Sequence, residues 1–525
     1  MTLKRLGLIL ATIVAIFLCV QALIESWQEP QFQDRLELYQ TNIVLQAASW
    51  EPSDSNNGNF KAAREAIVGE KPLENATQQY EEARKSTKAN LEKAKNKLAE
   101  LRSESSKTLT TPKPQPEIPP ATNASRLQQE HSLQQSVTQL QNSLAELDLQ
   151  LGILQARQGH KDTASKTWKG LSELSQIDSK FVNSADVLSG IWSDPPRLLP
   201  NAEQVVQSNF EAWFRYTTLA QLYQLQQRQE ALVSLKAREQ EVAEQALLKF
   251  AIIGIVPLLG AFIGIGLIIF LVWQRFVKGD AALLAQNANV PWLTPWNGET
   301  ILQVFVLGFF LMGQVVLPLV LSIIPIPRPI GNVRIQALYV LVTYLLVAAS
   351  ALFVLYLSIK RFFPLPENWF RFNFKGNWFL WGLGGYCVAL PVVVVVSLIN
   401  QQLWQGQGGS NPLLQLALSA QDFVALGMFF FTAAIAAPLF EEFLFRGFLL
   451  PSLTRYLPVW ASVLTSGLLF AVAHLSLSEI LPLFALGSVL GVVYTRSRNL
   501  LAPMLVHSLW NSGTLLSLFL LGSSK

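Results

Sequence analysis

Phe440-Glu441-Glu442-Phe443-Leu444-Phe445-Arg446-Gly447 ends a run of seventeen residues without a charge, Val424 to Phe440. An ionised side chain at the centre of a membrane helix costs about 2.5 to 3.5 kcal/mol. Three of them in such a place imply a use. On a helix, Glu442 and Arg446 stand four apart and share a face, where they can pair. Glu441 lies about 100° round the helix and need not share that partner. The pattern predicts one structural ion pair and one carboxylate left for chemistry.

Two later apolar segments hold two of the four histidines. His474 ends Phe470-Ala471-Val472-Ala473-His474. His507 begins His507-Ser508-Leu509-Trp510-Asn511, and His507 and Asn511 project from one helix face. Glu441, His474, His507 and Asn511 therefore sit on three successive apolar helices. Such a set can activate a water and polarise a carbonyl.

The order Glu-Glu-x-x-x-Arg, Phe-x-x-x-His, His-x-x-x-Asn resembles the CAAX-prenyl-protease and bacteriocin-processing (CPBP, or Abi) family of intramembrane proteases. The resemblance covers about residues 300–520 and is silent on 25–245. It implies peptide-bond hydrolysis. Glu441 would be the general base, helped by His474. His507 and Asn511 would donate to the oxyanion, and Glu442 with Arg446 would hold the site in shape. A metal question stays open. Glu441, His474 and His507 match a two-histidine, one-carboxylate zinc set with an open fourth position; a metal-free glutamate mechanism needs no cofactor. The expected substrate is a membrane-associated peptide or protein. Nothing in the sequence indicates prenyl recognition, so a CAAX substrate is not assigned.

Plainer roles stand beside these. Glu442–Arg446 can be purely structural, and a lone histidine such as His474 can be a hydrogen-bonded core residue. Phe470 and Trp510 read as packing, Glu479 as a residue of a solvent-facing loop, and Asp422 as the charge that starts a helix.

The elements that must position these residues are membrane helices. Of 525 residues, 50% are apolar and 14% charged, and the mean hydropathy is +0.30. From Trp378 to Lys525 only nine of 148 residues are Asp, Glu, Lys or Arg. The net charge of +4 gives no sign of nucleic acid, and two cysteines, both in apolar runs, exclude a disulfide framework. Apolar runs at about 250–273, 301–326, 337–359, 378–399, 423–440, 460–475, 480–495 and 500–520, with an N-terminal run, predict an all-α polytopic membrane protein of about nine transmembrane helices. Residues 1–24 read as a signal anchor, the alternative being a cleaved signal peptide. Lys4-Arg5, Arg275, Lys278, Lys360, Arg361, Arg371, Lys375, Arg446, Arg455, Arg496 and Arg498 fall on one side if the runs alternate. Arg328 and Arg334 are exceptions. The N-terminus is then cytoplasmic, in a bacterial inner membrane or its equivalent, and 25–248 is extracytoplasmic. Glu441 and Glu442 come out near the cytoplasmic end of their helix. Residues 249–299 carry one membrane helix and a cytoplasmic loop, and 300–525 the protease domain.

Segment 25–248 reads as helical and extramembrane, between the first and second membrane helices. Leu91, Ala94, Leu98 and Leu101 recur at helical spacing. A proline-rich linker, 107–122, follows. Leu133, Val137, Leu140, Leu144, Leu147, Leu151 and Leu154 then keep an unbroken 4-3 seam, a coiled-coil pattern. An antiparallel hairpin and a self-associating coil both fit. Gly152, Ala164 and Trp168, with Leu219, Leu222, Tyr223 and Ala231, suggest a degraded tetratricopeptide-like (TPR-like) repeat. An ordinary helical hairpin and a protein-binding module through 79–246 both remain open. For the whole chain, the alternative to a protease is a membrane scaffold or chaperone on the same fold. A transporter fits less well, with charges few and clustered and no inverted repeat.

Overall fold

The computed structural model describes residues 3–27, 33–51, 68–108, 120–173, 177–323, 332–404, 408–410, 416 and 422–522. Most of the proline-rich linker and Arg328 lie outside these residues. All regular structure among the described residues is helical. The chain divides into two units, one taking in Met1–Phe32 and Ile252–Ser523, the other Gln33–Ala251.

Helix α1 (Leu3–Trp27) opens the membrane unit. The second unit starts with α2 (Gln33–Ala48), α3 (Pro72–Thr108) and α4 (Pro120–Arg157). α3 and α4 run antiparallel: Arg102 Nε bonds Glu130 Oε1 at 2.7 Å, and Arg84 pairs with Asp148 farther along. Leu91 and Leu98 meet Val137 and Leu144, so the two apolar seams face each other as a hairpin. A short turn leads to α5 (Lys161–Lys169). A Cβ on Gly152 would lie 2.1 Å from Trp168 Nε1, so only glycine lets that indole seat there. Trp168 Nε1 donates to Leu149 O. That close packing is what the Gly152 and Trp168 spacing encodes. α6 (Ser179–Trp192), α7 (Ala202–Asn209) and α8 (Ala212–Leu225) complete the unit's core, which includes Leu219, Leu222 and Tyr223.

α9 (Gln229–Lys278) enters the membrane unit. It is followed by α10 (Gly298–Ile323), α11 (Val333–Ile359), α12 (Trp378–Trp404), α13 (Phe423–Leu453), α14 (Val459–Val472), α15 (Ile480–Ser497) and α16 (Leu501–Gly522). Asparagine and aspartate start three of them. Asn297, Asn332 and Asp422 each accept backbone N–H groups of the first turn through the side chain. Eight helices among the described residues are long and apolar enough to cross a membrane; α14 has only 14 residues.

Contacts at the helix ends sort into two layers. In the first, Lys4 and Arg5 meet Glu299, Trp296 Nε1 donates to Ser452 Oγ at 2.8 Å, and Arg455 Nη1 to Trp296 O at 2.6 Å. Trp292 N donates to Thr454 Oγ1 at 3.1 Å, Asn499 Nδ2 to Asn373 O at 2.6 Å, and the Arg498 guanidinium lies 3.4 Å from the Trp292 ring centre. In the second, Ser26 Oγ donates to Gly408 O at 2.6 Å, Ser478 N to the same oxygen at 3.0 Å, and Asn400 Nδ2 to Ser478 O at 2.6 Å. α14 starts beside the first layer and runs into the second. The sequence expectation of about nine spans thus compares with eight long apolar helices among the described residues, the ninth apolar run being this short helix.

The placement of the carboxylates differs from the sequence expectation. α13 continues through Leu453, so Glu441 is the nineteenth residue of a 31-residue helix. Glu441 and Glu442 are at mid-helix, not near its end. The apolar window closes at the first charge, but the helix does not.

Candidate active site

Two π-helical stretches, Phe431–Ala436 and Phe443–Leu449, bracket Ala437–Glu442. Pro438 accounts for part of this. Lacking an N–H, it leaves Ala434 O without an i+4 donor and Ala433 O without an i+5 donor. Both oxygens are taken from α16: Ser508 Oγ donates to Ala434 O at 2.6 Å, and Asn511 Nδ2 to Ala433 O at 2.7 Å. A proline on one helix thus fixes the side chains of another. Such replacement donors are what a broken ladder needs at membrane depth.

Glu442 and Arg446 are fully buried and bonded, Nη1 to Oε1 at 2.7 Å. Arg446 Nη2 also donates to Gly487 O at 3.0 Å. His507 Nδ1 meets the same Glu442 Oε1 at 2.8 Å. The Phe470 ring packs under the Arg446 guanidinium at 4.5 Å and lies edge-on to His474 and His507 at 5.0 and 5.6 Å. It is the packing centre of the site.

Glu441 points elsewhere. Tyr344 Oη donates to its Oε1 at 3.0 Å, and its Oε2 lies 4.0 Å from His507 Nε2. No lysine or arginine among the described residues forms an ion pair with it. Glu441, His474, His507 and Asn511 line one cavity of about 780 Å³, which reaches the second layer at Ser26, Ser410, Ser476 and Glu479. All four catalytic candidates are thus brought together, with Glu442 and Arg446 behind them. Glu479 is half-exposed in the short turn Leu477–Glu479 and also lines the rim of this cavity. Trp510 packs on the α12–α15 core and also lines the cavity. Tyr344 and Ser26 were not legible in the sequence. The one weak signal for Tyr344 is a phenol inside an otherwise apolar stretch.

The histidine tautomers follow from the partners. His474 Nδ1 lies 2.9 Å from Phe470 O, which can only accept, so Nδ1 carries a proton. His507 Nδ1 faces a carboxylate and donates likewise. In each neutral ring Nε2 is left as an acceptor. This is how metal-binding histidines are held, and the donor types suit zinc. The described residues nevertheless contain no group of three or more His, Cys, Asp or Glu side chains placed to hold a metal ion. Glu441, His474 and His507 share a cavity but do not close on one ion.

Residues 423–513, which hold α13 through most of α16, match the model of the type II CAAX prenyl endopeptidase Rce1-like family. The chain carries an Rce1-like domain. Two curated proteins are similar to it. The membrane-embedded CAAX protease MroQ of Staphylococcus aureus (strain USA300) is 26% identical over 180 residues, which are 33% of this chain and 71% of MroQ. YdiL of Bacillus subtilis (strain 168), a candidate membrane peptidase, is 23% identical over 133 residues, 25% of this chain and 53% of YdiL. No solved structure matches the chain. Eight helices long and apolar enough to span, with these membrane-peptidase relatives, mark an integral, multi-pass membrane protein that is similar to CAAX proteases over the matched segment. The matched segment contains Glu441, Glu442, Arg446, His474, His507 and Asn511; Tyr344 and Ser26 lie outside it.

Proposed function

We propose that this protein is an intramembrane endopeptidase that hydrolyses membrane-associated peptides with a water activated by Glu441. One observation carries the reading. Of two adjacent carboxylates, Glu442 is bonded to Arg446, while Glu441 faces the cavity and forms no ion pair with a lysine or arginine among the described residues. A water between Glu441 Oε2 and His507 Nε2 gives its proton to the carboxylate as its oxygen attacks the scissile carbonyl carbon. The carbonyl electron pair moves to oxygen. Asn511, with one amide hydrogen on Ala433 O, keeps a second for that oxyanion. Glu441 then passes the proton to the leaving nitrogen as the C–N bond breaks. Tyr344 holds Oε1 and so leaves Oε2 as the working atom. Neutral His507 accepts at Nε2, which assigns it to the water; it donates to an oxyanion only with both nitrogens protonated.

A bound zinc ion is the second reading: the tied Nδ1 atoms of His474 and His507 leave both Nε2 atoms turned to the cavity, although these two side chains and Glu441 would have to move to close on one ion. We infer further that the first layer is cytoplasmic, since it gathers Lys4, Arg5, Lys360, Arg361, Arg371, Lys375, Arg455, Arg496 and Arg498. The N-terminus is then cytoplasmic and segment 25–248 extracytoplasmic. The cavity rim faces outward, so the substrate peptide is met at the outer surface. The helical hairpin within 79–246 is suited to recruiting a protein partner. A membrane scaffold that uses the same fold without proteolysis is the competing function.

The deciding experiment compares the parent with Glu441→Gln and His507→Ala in proteoliposomes, on a panel of membrane-tethered peptides, with and without a chelator. Cleavage by the parent alone supports the endopeptidase. Chelator sensitivity then selects the metal reading. A parent that cleaves nothing, together with variants that still restore the phenotype of a deletion strain, leaves the scaffold.

A further inference from the structure

We propose that Ser26, at the end of α1, is a positioning residue for His474. α1 is separated from the catalytic motifs by more than four hundred residues and lies outside the segment that matches the family model. Yet it is bound into the membrane unit at both ends. At its start, Lys4 and Arg5 meet Glu299. At its end, Ser26 is almost fully buried and lines the catalytic cavity.

The hydroxyl of Ser26 makes two bonds that fix one short loop. It donates to Gly408 O at 2.6 Å and accepts from Leu477 N at 3.2 Å. Leu477 is three residues after His474, and the loop between them turns through Leu475 at φ +54°, a left-handed conformation that a leucine adopts only when held. The same small ring of bonds continues through Ser476 Oγ to Gly408 O and Ser478 Oγ to Gly409 O. Asn400 Nδ2 then donates to Ser478 O while Asn400 Oδ1 accepts from Trp404 Nε1, and Trp404 stands edge-on to Trp27 at 6.1 Å. The His474 ring is tied on its other side to Phe470 O, at the end of α14. Its place is therefore set between the last turn of α14 and a loop pinned by α1. Without the Ser26 hydroxyl, the Leu477 amide and the Gly408 carbonyl each lose a partner in a buried setting, and the left-handed turn loses the bond that holds it. The first helix is in this sense a wall of the catalytic cavity, and its last turn sets the geometry of a residue on the seventh membrane segment.

The proposal rests on the role that the family resemblance implies for His474, helping Glu441 activate the water, and has one test that does not. In the first, kcat and KM are measured for the parent, Ser26→Ala, His474→Ala and the double variant. Ser26→Ala is expected to lower kcat about tenfold with KM within about twofold, the scale of losing one to two hydrogen bonds. In the His474→Ala background the same change is expected to cost nothing more, because the two act through one group. Ser26→Thr, which keeps the hydroxyl, is expected to restore most of kcat. Equal losses in both backgrounds, or no loss at matched folded protein, overturn the proposal. The second test is amide hydrogen exchange over residues 473–479. Faster exchange is expected in Ser26→Ala and parental exchange in Ser26→Thr; unchanged exchange in both overturns the pinning, whether or not the protein cleaves peptides. A parent that cleaves nothing but shows the exchange difference removes the protease reading and leaves the pinning standing.

Discussion

Glu441 and Glu442 are neighbours in sequence and belong to different halves of the membrane unit. Below Glu442 the interior is packed with apolar side chains. Phe445, Phe448, Leu449 and Leu450 pack with Trp292, Trp296 and Tyr494, and the one buried cation there, Arg446, is matched by Glu442. Above Glu441 the interior is a cavity walled in part by hydroxyls, amides and imidazoles. One half is closed by indole and guanidinium groups, the other by serine hydroxyls and backbone carbonyls. A single helix step decides which half a carboxylate serves. The lesson is that identical side chains one position apart meet opposite surroundings, set by what the flanking helices offer them.

That contrast can be broken at four points. The largest effect is expected at Glu441. Glu441→Gln keeps the shape and removes the base, so peptide hydrolysis should fall about 10²- to 10⁴-fold while thermal unfolding in detergent stays parental. A variant that still cleaves at the parental rate sinks the role of Glu441. Arg446→Ala should do the reverse. It strands a buried carboxylate and should cost about 3 to 5 kcal/mol of stability, read as loss of the folded fraction on size exclusion; a well-folded variant would mean that Glu442 does not need its partner. Ser508→Ala should cost less, about 1 to 3 kcal/mol for the unmatched Ala434 carbonyl, visible as a lower unfolding midpoint, and Ser508→Thr should recover it. The smallest effect is at the rim of α13. The Ala425 amide and then the Arg334 guanidinium hold Asp422 below the usual aspartate range. A carboxyl whose folded value is depressed stabilises fully above its unfolded value, about 3.9, and loses that contribution as pH falls below it. Asp422→Asn keeps a capping side chain and should flatten this part of the acid profile while leaving the midpoint at neutral pH nearly unchanged. An acid profile identical to the parent's would remove Asp422 from the account.

Much of the site was legible because its chemistry is written in short spacings. Glu442 to Arg446, Phe470 to His474 and His507 to Asn511 each lie one helical turn apart, and charge in an apolar run is conspicuous. The helices were legible for the same reason. Three things were not. The depth of Glu441 was misread because a hydropathy window stops at a charge, whereas the backbone ladder runs on to Leu453. The place of Glu479 at the cavity rim was not legible because it depends on the turn at Leu477–Glu479. Tyr344 and Ser26 were missed because a phenol on α11 and a hydroxyl on α1 gain meaning only from partners 97 and 382 residues away. The hairpin of α3 and α4 is a middle case: two seams separated by a proline-rich stretch allowed a hairpin or a self-associating coil, and the seams pack on each other.

The 14 residues of α14 have one more consequence. At 1.5 Å per residue the helix is about 21 Å long, while the hydrocarbon layer of a typical bilayer is about 30 Å. If α14 alone spans the hydrocarbon where it borders lipid, the bilayer is expected to thin beside the carboxylate at Glu441. A peptide segment then has less oil to cross, and the thickness of the host bilayer becomes a control on turnover. Faster hydrolysis in short-chain than in long-chain lipid vesicles is the expected sign of that hydrophobic mismatch; equal rates would mean that the lipid does not follow the helix.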